Sequence, residues 1–372
     1  MLAMADSPRH MHQALGLAAQ ALFLSSPNPR VGCVLVAPDG RVVGQGFTQQ
    51  AGGPHAEVMA LRDAVARGED VRGATAYVTL EPCSHQGRTG PCCDALIAAG
   101  VAKVVGALTD PNPQVAGQGF ARLRAAGVDV VVGPGADESR ELNIGFFSRM
   151  LRGIPWVRMK AASSLDGATA LHNGTSQWIT SPEARADGHA WRARACTILT
   201  GIGTVVEDDP RLNVRDVATP RQPRIAVVDS RLDMPLTARV LQAPAGCLIY
   251  TSSRDASKTS ALQDLGTTVI PMPNAHGKVD LCAMLRDLAA RGTNELHVEA
   301  GFKLNGSLVR EGLVDELLLY LAPKLLGTGG MGIASFGPLD ALSEAIALAL
   351  HDVQRIGPDL RVVARVGDRA SF

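Results

Sequence analysis

Strand and helix signals alternate along this chain in two runs, separated at Arg152-Gly153-Ile154-Pro155. Such alternation confines a chain to layered α/β folds, in which helices cover the faces of a sheet. In the first run a helix extends to about Leu24 and stops at the helix-breaking Ser25-Ser26-Pro27-Asn28-Pro29. Strands at Val31–Ala37 and Arg41–Phe47 flank the turn Pro38-Asp39-Gly40. A helix at His55–Arg67, a strand at Thr75–Leu80 and a helix at Cys92–Ala99 follow. The run closes with strand Lys103–Leu108, helix Gly119–Ala126, strand Val128–Val132 and a helix near Asp137–Met150. A hairpin followed by βαβ units predicts a mixed sheet.

The second run places strands at Trp156–Ala161, Thr197–Thr200, Arg224–Asp229, Cys247–Thr251, Thr267–Ile270, Glu295–Glu299, Glu316–Ala322 and Leu360–Val366. Helices are expected at Pro182–Arg194, Asp280–Arg291 and Leu304–Gly312. The two runs are not repeats of one another. A length of 372 residues exceeds what one hydrophobic core usually serves, about 250–300. Two domains are therefore expected, 1–150 and 151–372.

Composition removes several function classes. Hydrophobic residues are 46% and charged residues 19%, which excludes intrinsic disorder and a collagen-like fibre. Basic and acidic residues balance at 36 each, 12 against 13 up to position 150 and 24 against 23 after it. Neither half is a basic domain, and with aromatics at 4% a stacking platform for single strands is not expected, so nucleic acid is not an expected partner. No apolar run reaches the roughly 18–20 residues of a membrane span. Ala14–Leu24 has the length of a signal-peptide core but lacks a cationic flank, and Leu15, Ala18, Ala19 and Leu22 repeat at helical spacing. Seven unevenly spaced cysteines suit reduced thiols in a cytoplasmic protein better than a disulfide framework.

Three of those cysteines, Cys83, Cys92 and Cys93, fall within eleven positions. His55-Ala56-Glu57 precedes them at a helix start, and strand Thr75–Leu80 runs into Glu81-Pro82-Cys83. One His and two Cys suit a tetrahedral zinc with one position open to water. A helix N-terminus at each ligand favours thiolate. Glu57 is too close to His55 to be a natural fourth ligand, but is well placed to carry a proton from water to a leaving amine. A structural zinc is the alternative, with Cys93 or His85 as fourth ligand. Cys93 should point about 100° away from Cys92 on a helix, so it reads as a packed thiol, as does Cys33 within its apolar strand.

His-x-Glu followed by Pro-Cys is the signature of zinc nucleobase deaminases. The second half departs from Cys-x-x-Cys: eight residues separate Cys83 from Cys92. The resulting Pro-Cys-Ser-His-x-Gly-Arg-Thr-x-Pro-Cys resembles the deaminase half of the bifunctional riboflavin-biosynthesis (RibD) family. Pro27-Asn28-Pro29-x-Val31-Gly32 and Thr109-Asp110-Pro111-Asn112-Pro113 share in the resemblance. It implies a cytidine-deaminase-like three-layer domain, with His55, Cys83 and Cys92 as zinc ligands and Glu57 as proton shuttle. It further implies substrate contacts at Asn28, Ser84, His85, Arg88 and Thr89. Asn28 also reads as a plain turn residue between two prolines.

The second half carries weaker signals. Thr200-Gly201-Ile202-Gly203-Thr204 and Glu299-Ala300-Gly301 each follow a strand, where backbone N–H groups could meet a phosphate or merely turn the chain. Neither is a dinucleotide fingerprint. Lys160 through Gly167, Ser176-Gln177-Trp178-Ile179-Thr180, Trp191-Arg192-Ala193, Asp208-Asp209-Pro210-Arg211-Leu212, Val298 through Gly301 and Ala322 through Gly327 resemble the reductase half of the same family. That half is similar to dihydrofolate reductase in fold and uses NADPH. The resemblance implies nucleotide contacts at Ala162, Trp178, Thr204, Asp208, Ser230 and Gly301, and contacts to the phosphoribosyl substrate at Ser176, Arg192, Leu212, Arg215 and Glu299. Two arginines suit a phosphate. Arg192 also reads as a solvated helix face, Trp178 as core, and Lys160 as an edge or a functional residue. Phe302-Lys303 departs from the family's glycine-rich form.

The implied chemistry is hydrolytic deamination of 2,5-diamino-6-(5-phosphoribosylamino)pyrimidin-4(3H)-one by zinc hydroxide, giving 5-amino-6-(5-phosphoribosylamino)uracil. Reduction of the ribosyl group to ribityl by NADPH follows. A deaminase with an inactive reductase-like domain is the alternative that Phe302-Lys303 motivates. The expected partners are phosphoribosylaminopyrimidines and a second copy of the chain.

Overall fold

The computed structural model describes residues 7–84 and 90–372. The chain divides into two compact units, Met1–Arg152 and Gly153–Phe372. The dividing point falls at the helix stop before Pro155, two residues beyond the sequence estimate.

The first unit runs α1 (Ser7–Gln20), β1 (Gly32–Val36), β2 (Val42–Phe47), α2 (Ala56–Ala66), β3 (Thr75–Val78), α3 (Cys92–Ala98), β4 (Lys103–Gly106), α4 (Gln118–Ala125), β5 (Asp129–Val132), α5 (Ala136–Leu142) and α6 (Ile144–Arg152). Its sheet has the order β2-β1-β3-β4-β5. β1 pairs antiparallel with β2 and β3, and the β3–β4 and β4–β5 pairs are parallel, so the sheet is mixed. Successive side chains of a strand face opposite ways, and β1 uses both faces. Val34 and Val36 pack with Met11 and Ala14 of α1. On the opposite face Cys33 pairs with Gly46 and Leu35 with Gly44, beneath α2. A Cβ on Gly46 would lie 2.5 Å from the Met59 side chain and 2.6 Å from the Ala60 nitrogen. Glycine there lets α2, and with it the His55–Glu57 segment, sit directly on the sheet. Helices on both faces make three layers.

One long helix was expected near Asp137–Met150; two are found. Asn143 divides them because its side chain is committed elsewhere. Its Oδ1 accepts the Arg30 N–H at 2.7 Å, and its Nδ2 donates to the Arg30 carbonyl at 2.9 Å.

The second unit runs β6 (Trp156–Ser164), α7 (Pro182–Arg194), β7 (Thr197–Gly201), α8 (Ile202–Asp208), β8 (Arg224–Val228), β9 (Cys247–Thr251), α9 (Ala256–Asp264), β10 (Thr268–Pro271), α10 (Leu281–Ala290), β11 (Glu295–Val298), α11 (Phe302–Arg310), β12 (Glu316–Ala322), β13 (Leu348–Ile356) and β14 (Asp359–Val366). The sheet order is β10-β9-β8-β7-β11-β6-β12-β14-β13. All pairs are parallel except β12–β14 and β13–β14. One face is closed by α10 and α11 over Val157, Met159, Leu199, Leu248 and Val298. The other is closed in part by Val205 of α8 and Leu262 of α9 over Ile198, Ile225, Val227 and Ile249. Adjacent residues Ile198 and Leu199 thus enter separate cores. The sequence reading missed α8, α9 and β13. Both helices lack a strong apolar stripe, and most of β13 is exposed.

Candidate functional site

Two loops and two helix starts build the first site. His55 is the N-cap residue of α2, and Cys92 opens α3. Cys83 lies in the loop after β3 rather than on a helix, so the expectation of a helix start at every ligand is corrected there. Its sulfur still meets a helix N-terminus, because Sγ accepts the Cys92 N–H at 3.4 Å. The Nδ1 of His55 is 3.6 Å from Cys83 Sγ and 3.4 Å from Cys92 Sγ. The three donor atoms lie within 4.8 Å of one another, and among the described residues they are the one such cluster of metal-ligating groups. One imidazole and two thiols match zinc in number and softness. The hydrogen bond with Cys92 and then His55 hold the Cys83 thiol down, to about 4. The proton is thereby kept on Cys92, whose own value rises. A pair of thiols that share one negative charge in this way suits a cation between them.

Glu57 lies in the first turn of α2 and is buried. Burial, followed by the charge on Cys83, pushes its carboxyl up to about 7. It borders a cleft of about 460 Å³ with His55, Cys83, Asn28, Asp110 and Asn112. Asn28 is half-buried in that wall. The buried Ser84 hydroxyl has no hydrogen-bond partner among the described residues. His85, Arg88 and Thr89 lie outside the described residues. Cys93 and Cys33 are buried and stand apart from the cluster.

In the second unit the expected nucleotide positions gather at the carboxyl ends of neighbouring parallel strands. Ala162 is on β6 near its end, Thr204 follows β7 in α8, Ser230 follows β8, and Gly301 follows β11. Ligands of open α/β sheets bind at that end. Gly301 is the N-cap of α11 and, having no side chain, caps none of that helix's first amides itself. A Cβ there would stand 3.6 Å from the Thr204 hydroxyl, so the α8 and α11 starts face one another across a narrow gap. Phe302 and Lys303 form the first turn of α11, so this departure alters side chains and keeps the helix start. Asp208 is exposed at the end of α8. Trp178 is 63% exposed and not core, with the Arg185 guanidinium 4.5 Å over its ring.

Glu299 follows β11 and meets Arg192 of α7 in a two-pronged pair, with Nη2 to Oε2 at 2.8 Å. Arg192 Nη1 also donates to the Asn213 carbonyl at 3.2 Å. Arg192 is therefore a paired residue and not a solvated face. Burial opposes the charge of Glu299, yet the Arg192 guanidinium outweighs it and holds the carboxyl well below the usual range. Leu212 is buried with φ of 52°, while Arg215 and Ser176 are exposed. Lys160 lies on β6, between β11 and β12, so it is no edge residue. Burial lowers its pKa, partly offset by Glu299.

Residues 4–108 match the cytidine and deoxycytidylate deaminase zinc-binding region, and residues 155–362 match the RibD C-terminal domain. The riboflavin biosynthesis protein RibD of Escherichia coli (strain K12) is 46% identical over 363 residues, covering 94% of this chain and 97% of that one. The structure of Acinetobacter baumannii RibD, form 1, superposes with a TM-score of 0.88 at 39% identity, covering 97% of this chain and 99% of that one. A deaminase/reductase from Thermotoga maritima superposes with a TM-score of 0.86 at 31% identity, covering 97% and 98%. The chain belongs to the RibD family: it is a bifunctional enzyme of riboflavin biosynthesis, a zinc-dependent deaminase joined to an NADPH-dependent reductase.

Proposed function

We propose that residues 1–152 carry the deamination and residues 153–372 the reduction, with the roles divided as follows. The observation that carries the reading is the cluster of His55, Cys83 and Cys92, with Glu57 beside it at one cleft wall. His55, Cys83 and Cys92 would hold the zinc. Bound there, the metal supplies a Lewis acid that brings the pKa of water near neutrality. Glu57 takes a proton at its carboxylate and delivers it to the departing amine nitrogen. Asn28 and the unpartnered Ser84 hydroxyl orient the pyrimidine, with His85 and Arg88 assigned to the same substrate.

For the second reaction, Ala162, Trp178, Thr204, Asp208, Ser230 and Gly301 would hold NADPH along the strand ends. The nucleotide, when bound, supplies the hydride. Ser176, Leu212, Arg215 and Glu299 bind the phosphoribosyl group. The exposed Arg215 offers its guanidinium to the phosphate, while Arg192, already committed to Glu299, fixes the carboxylate. Over the two steps the diaminopyrimidinone enters as its 5-phosphoribosylamine and leaves as 5-amino-6-(5-phosphoribitylamino)uracil, the phosphate ester being kept throughout.

Self-association belongs to the same reading. β13 is an unpaired sheet edge with Leu348, Leu350 and Val353 exposed, and edges of that kind invite a second strand. A second copy of this chain is the proposed occupant. A cytoplasmic location is supported by seven cysteines that are all free thiols; no helix among the described residues is long and apolar enough to cross a membrane.

The test is turnover by the purified chain. Given the diamino substrate and NADPH, it should release ammonia and then oxidise NADPH; given the deaminated product, it should oxidise NADPH without ammonia. Absence of either step contradicts the assignment of that unit.

A further inference from the structure

Beneath α7, one face of the second sheet carries charged residues where apolar ones would be expected. Alternation along β11 sends Glu295, His297 and Glu299 to the same face. In the parallel register His297 lies beside Arg158 of β6. Arg158 is fully buried, pairs with Glu295 at 2.9 Å and with Glu316 of β12, and has the Trp191 ring 4.5 Å from its guanidinium. This row is anchored at its rim by Arg194, 2.6 Å from Glu295, and by Arg365, 3.1 Å from Glu316. At the other end stands the Arg192–Glu299 pair. His297 is the residue between the two.

His297 has no exposed surface. Its Nε2 lies 3.4 Å from Glu299 Oε1. Neither ring nitrogen makes a hydrogen bond among the described residues, so at 3.4 Å the Glu299 carboxylate faces Nε2 without yet bonding it. A buried imidazole without such a partner is costly unless one nitrogen is used. Burial, with the Arg158 and Lys160 charges, favours the neutral ring over the attraction of Glu299. A neutral ring carries one N–H, and the carboxylate is the acceptor within reach.

We propose that His297 is a positioning residue for the reduction. Its Nε2–H faces Glu299 Oε1 from the core side, and a small turn of the ring closes that bond on the carboxylate that Arg192 holds from α7. The two contacts fix the carboxylate plane, and the packed Arg158 row fixes the imidazole in turn. A group held from two sides reaches substrate in one orientation. The inference rests on the reading that Glu299 contacts the phosphoribosyl substrate.

The test uses the full zinc-loaded chain and four variants. His297→Leu fills the space without a donor. His297→Gln places an amide N–H where Nε2 stands. Glu299→Gln is run in parallel. His297→Asn, whose amide falls short of Glu299, replaces the leucine variant if that one loses its cooperative unfolding. Reductase kcat and KM are measured with the deaminated substrate, and NADPH affinity by fluorescence. His297→Leu, or its Asn substitute, should lower kcat about tenfold, with NADPH affinity kept within about twofold, and His297→Gln should recover kcat to within about threefold. Wild-type kcat in the donor-less variant overturns the proposal. So does equal loss of kcat and NADPH affinity in both the donor-less and the glutamine variants, the pattern of a merely structural residue. Full activity in Glu299→Gln instead removes the role of Glu299, and is recognisable as that separate failure.

Discussion

The carboxylate of Glu81 is bound by the backbone of Gly119, whose N–H donates to Oε1 at 2.8 Å. Three further amides converge on it: Phe120 at 3.1 Å, Asp110 at 3.0 Å and Gly117 at 2.8 Å. A Cβ on Gly119 would fall 1.9 Å from the Pro82 carbonyl, so the close approach needs glycine. Glu81 stands two residues before Cys83, a proposed zinc ligand, and the loop it gathers supplies Asp110, Asn112 and Val115 to the cleft. One buried carboxylate thus ties the Cys83 loop to the wall of the cleft.

Removing that carboxylate should loosen both. Glu81→Ala leaves four amides without their acceptor, and an unsatisfied buried donor costs about 1–3 kcal/mol. The expected loss is at least about 3 kcal/mol in the urea transition that accompanies zinc release. Amide exchange at Gly117, Gly119 and Phe120 should accelerate in parallel. An unchanged transition would mean that the loop is held by other contacts.

Arg192 and Arg215 should fail in different ways. Arg215→Ala is expected to raise KM for the phosphorylated substrate about tenfold or more, with a much smaller effect on a dephosphorylated analogue. Arg192→Ala leaves the Glu299 carboxylate buried without its partner, so kcat should fall for both substrates and the second unit should lose stability. Equal losses on the two substrates for Arg215→Ala would remove its phosphate role.

The pH dependence of stability should carry a signature of His189. This side chain is buried, with its Nδ1 accepting the Arg215 N–H at 3.4 Å and its Nε2 3.1 Å from Asp216. Burial, then the charges of Arg192 and Arg215, push its pKa down to about 4. Between roughly pH 6.5 and pH 4 the unfolded chain therefore binds a proton that the folded chain refuses. The His189 contribution is complete above pH 6.5 and is lost as pH falls toward 4. His189→Gln should flatten stability measured between pH 7 and pH 5 relative to the parent; an unchanged slope contradicts the depressed value.

Self-association should depend on β13. Leu350 is 71% exposed on that edge strand. Leu350→Lys is expected to shift sedimentation toward the monomer while both activities at low protein concentration persist. An unaltered distribution places the contact elsewhere.

How much of this was legible in the sequence depends on whether a feature is local. The candidate metal-binding residues sit in short segments with fixed chemistry, and the structure gathers His55, Cys83 and Cys92 in one cluster. The strand at Glu316–Ala322 alternates along its length, the strand at Cys247–Thr251 is a short apolar run, and the helix at Pro182–Arg194 is announced by its Ser181 cap and the proline in its first turn. The break at Asn143 does not, because it depends on Arg30, 113 positions away. Trp178 looked equally suited to a core, since an aromatic residue gives no sign of the surface that it faces. The pairing of Arg192 with Glu299 joins residues 107 positions apart, so no local pattern announces it, and His297 could not be distinguished from strand filler. β13 was missed because most of its residues are exposed, which erases the alternation a half-buried strand shows. The sequence pattern therefore reaches the chemistry of the first site and stops short of the pairings that orient the second.

The most direct measurement pairs metal analysis with ammonia release for Glu57→Ala. Glu57 lies beside the ligand cluster without belonging to it, so the variant should retain about one zinc per chain. Ammonia release from the diamino substrate should be abolished, while reduction of the deaminated product continues. Deamination that survives in the zinc-loaded variant would contradict the assignment of Glu57 as the proton carrier.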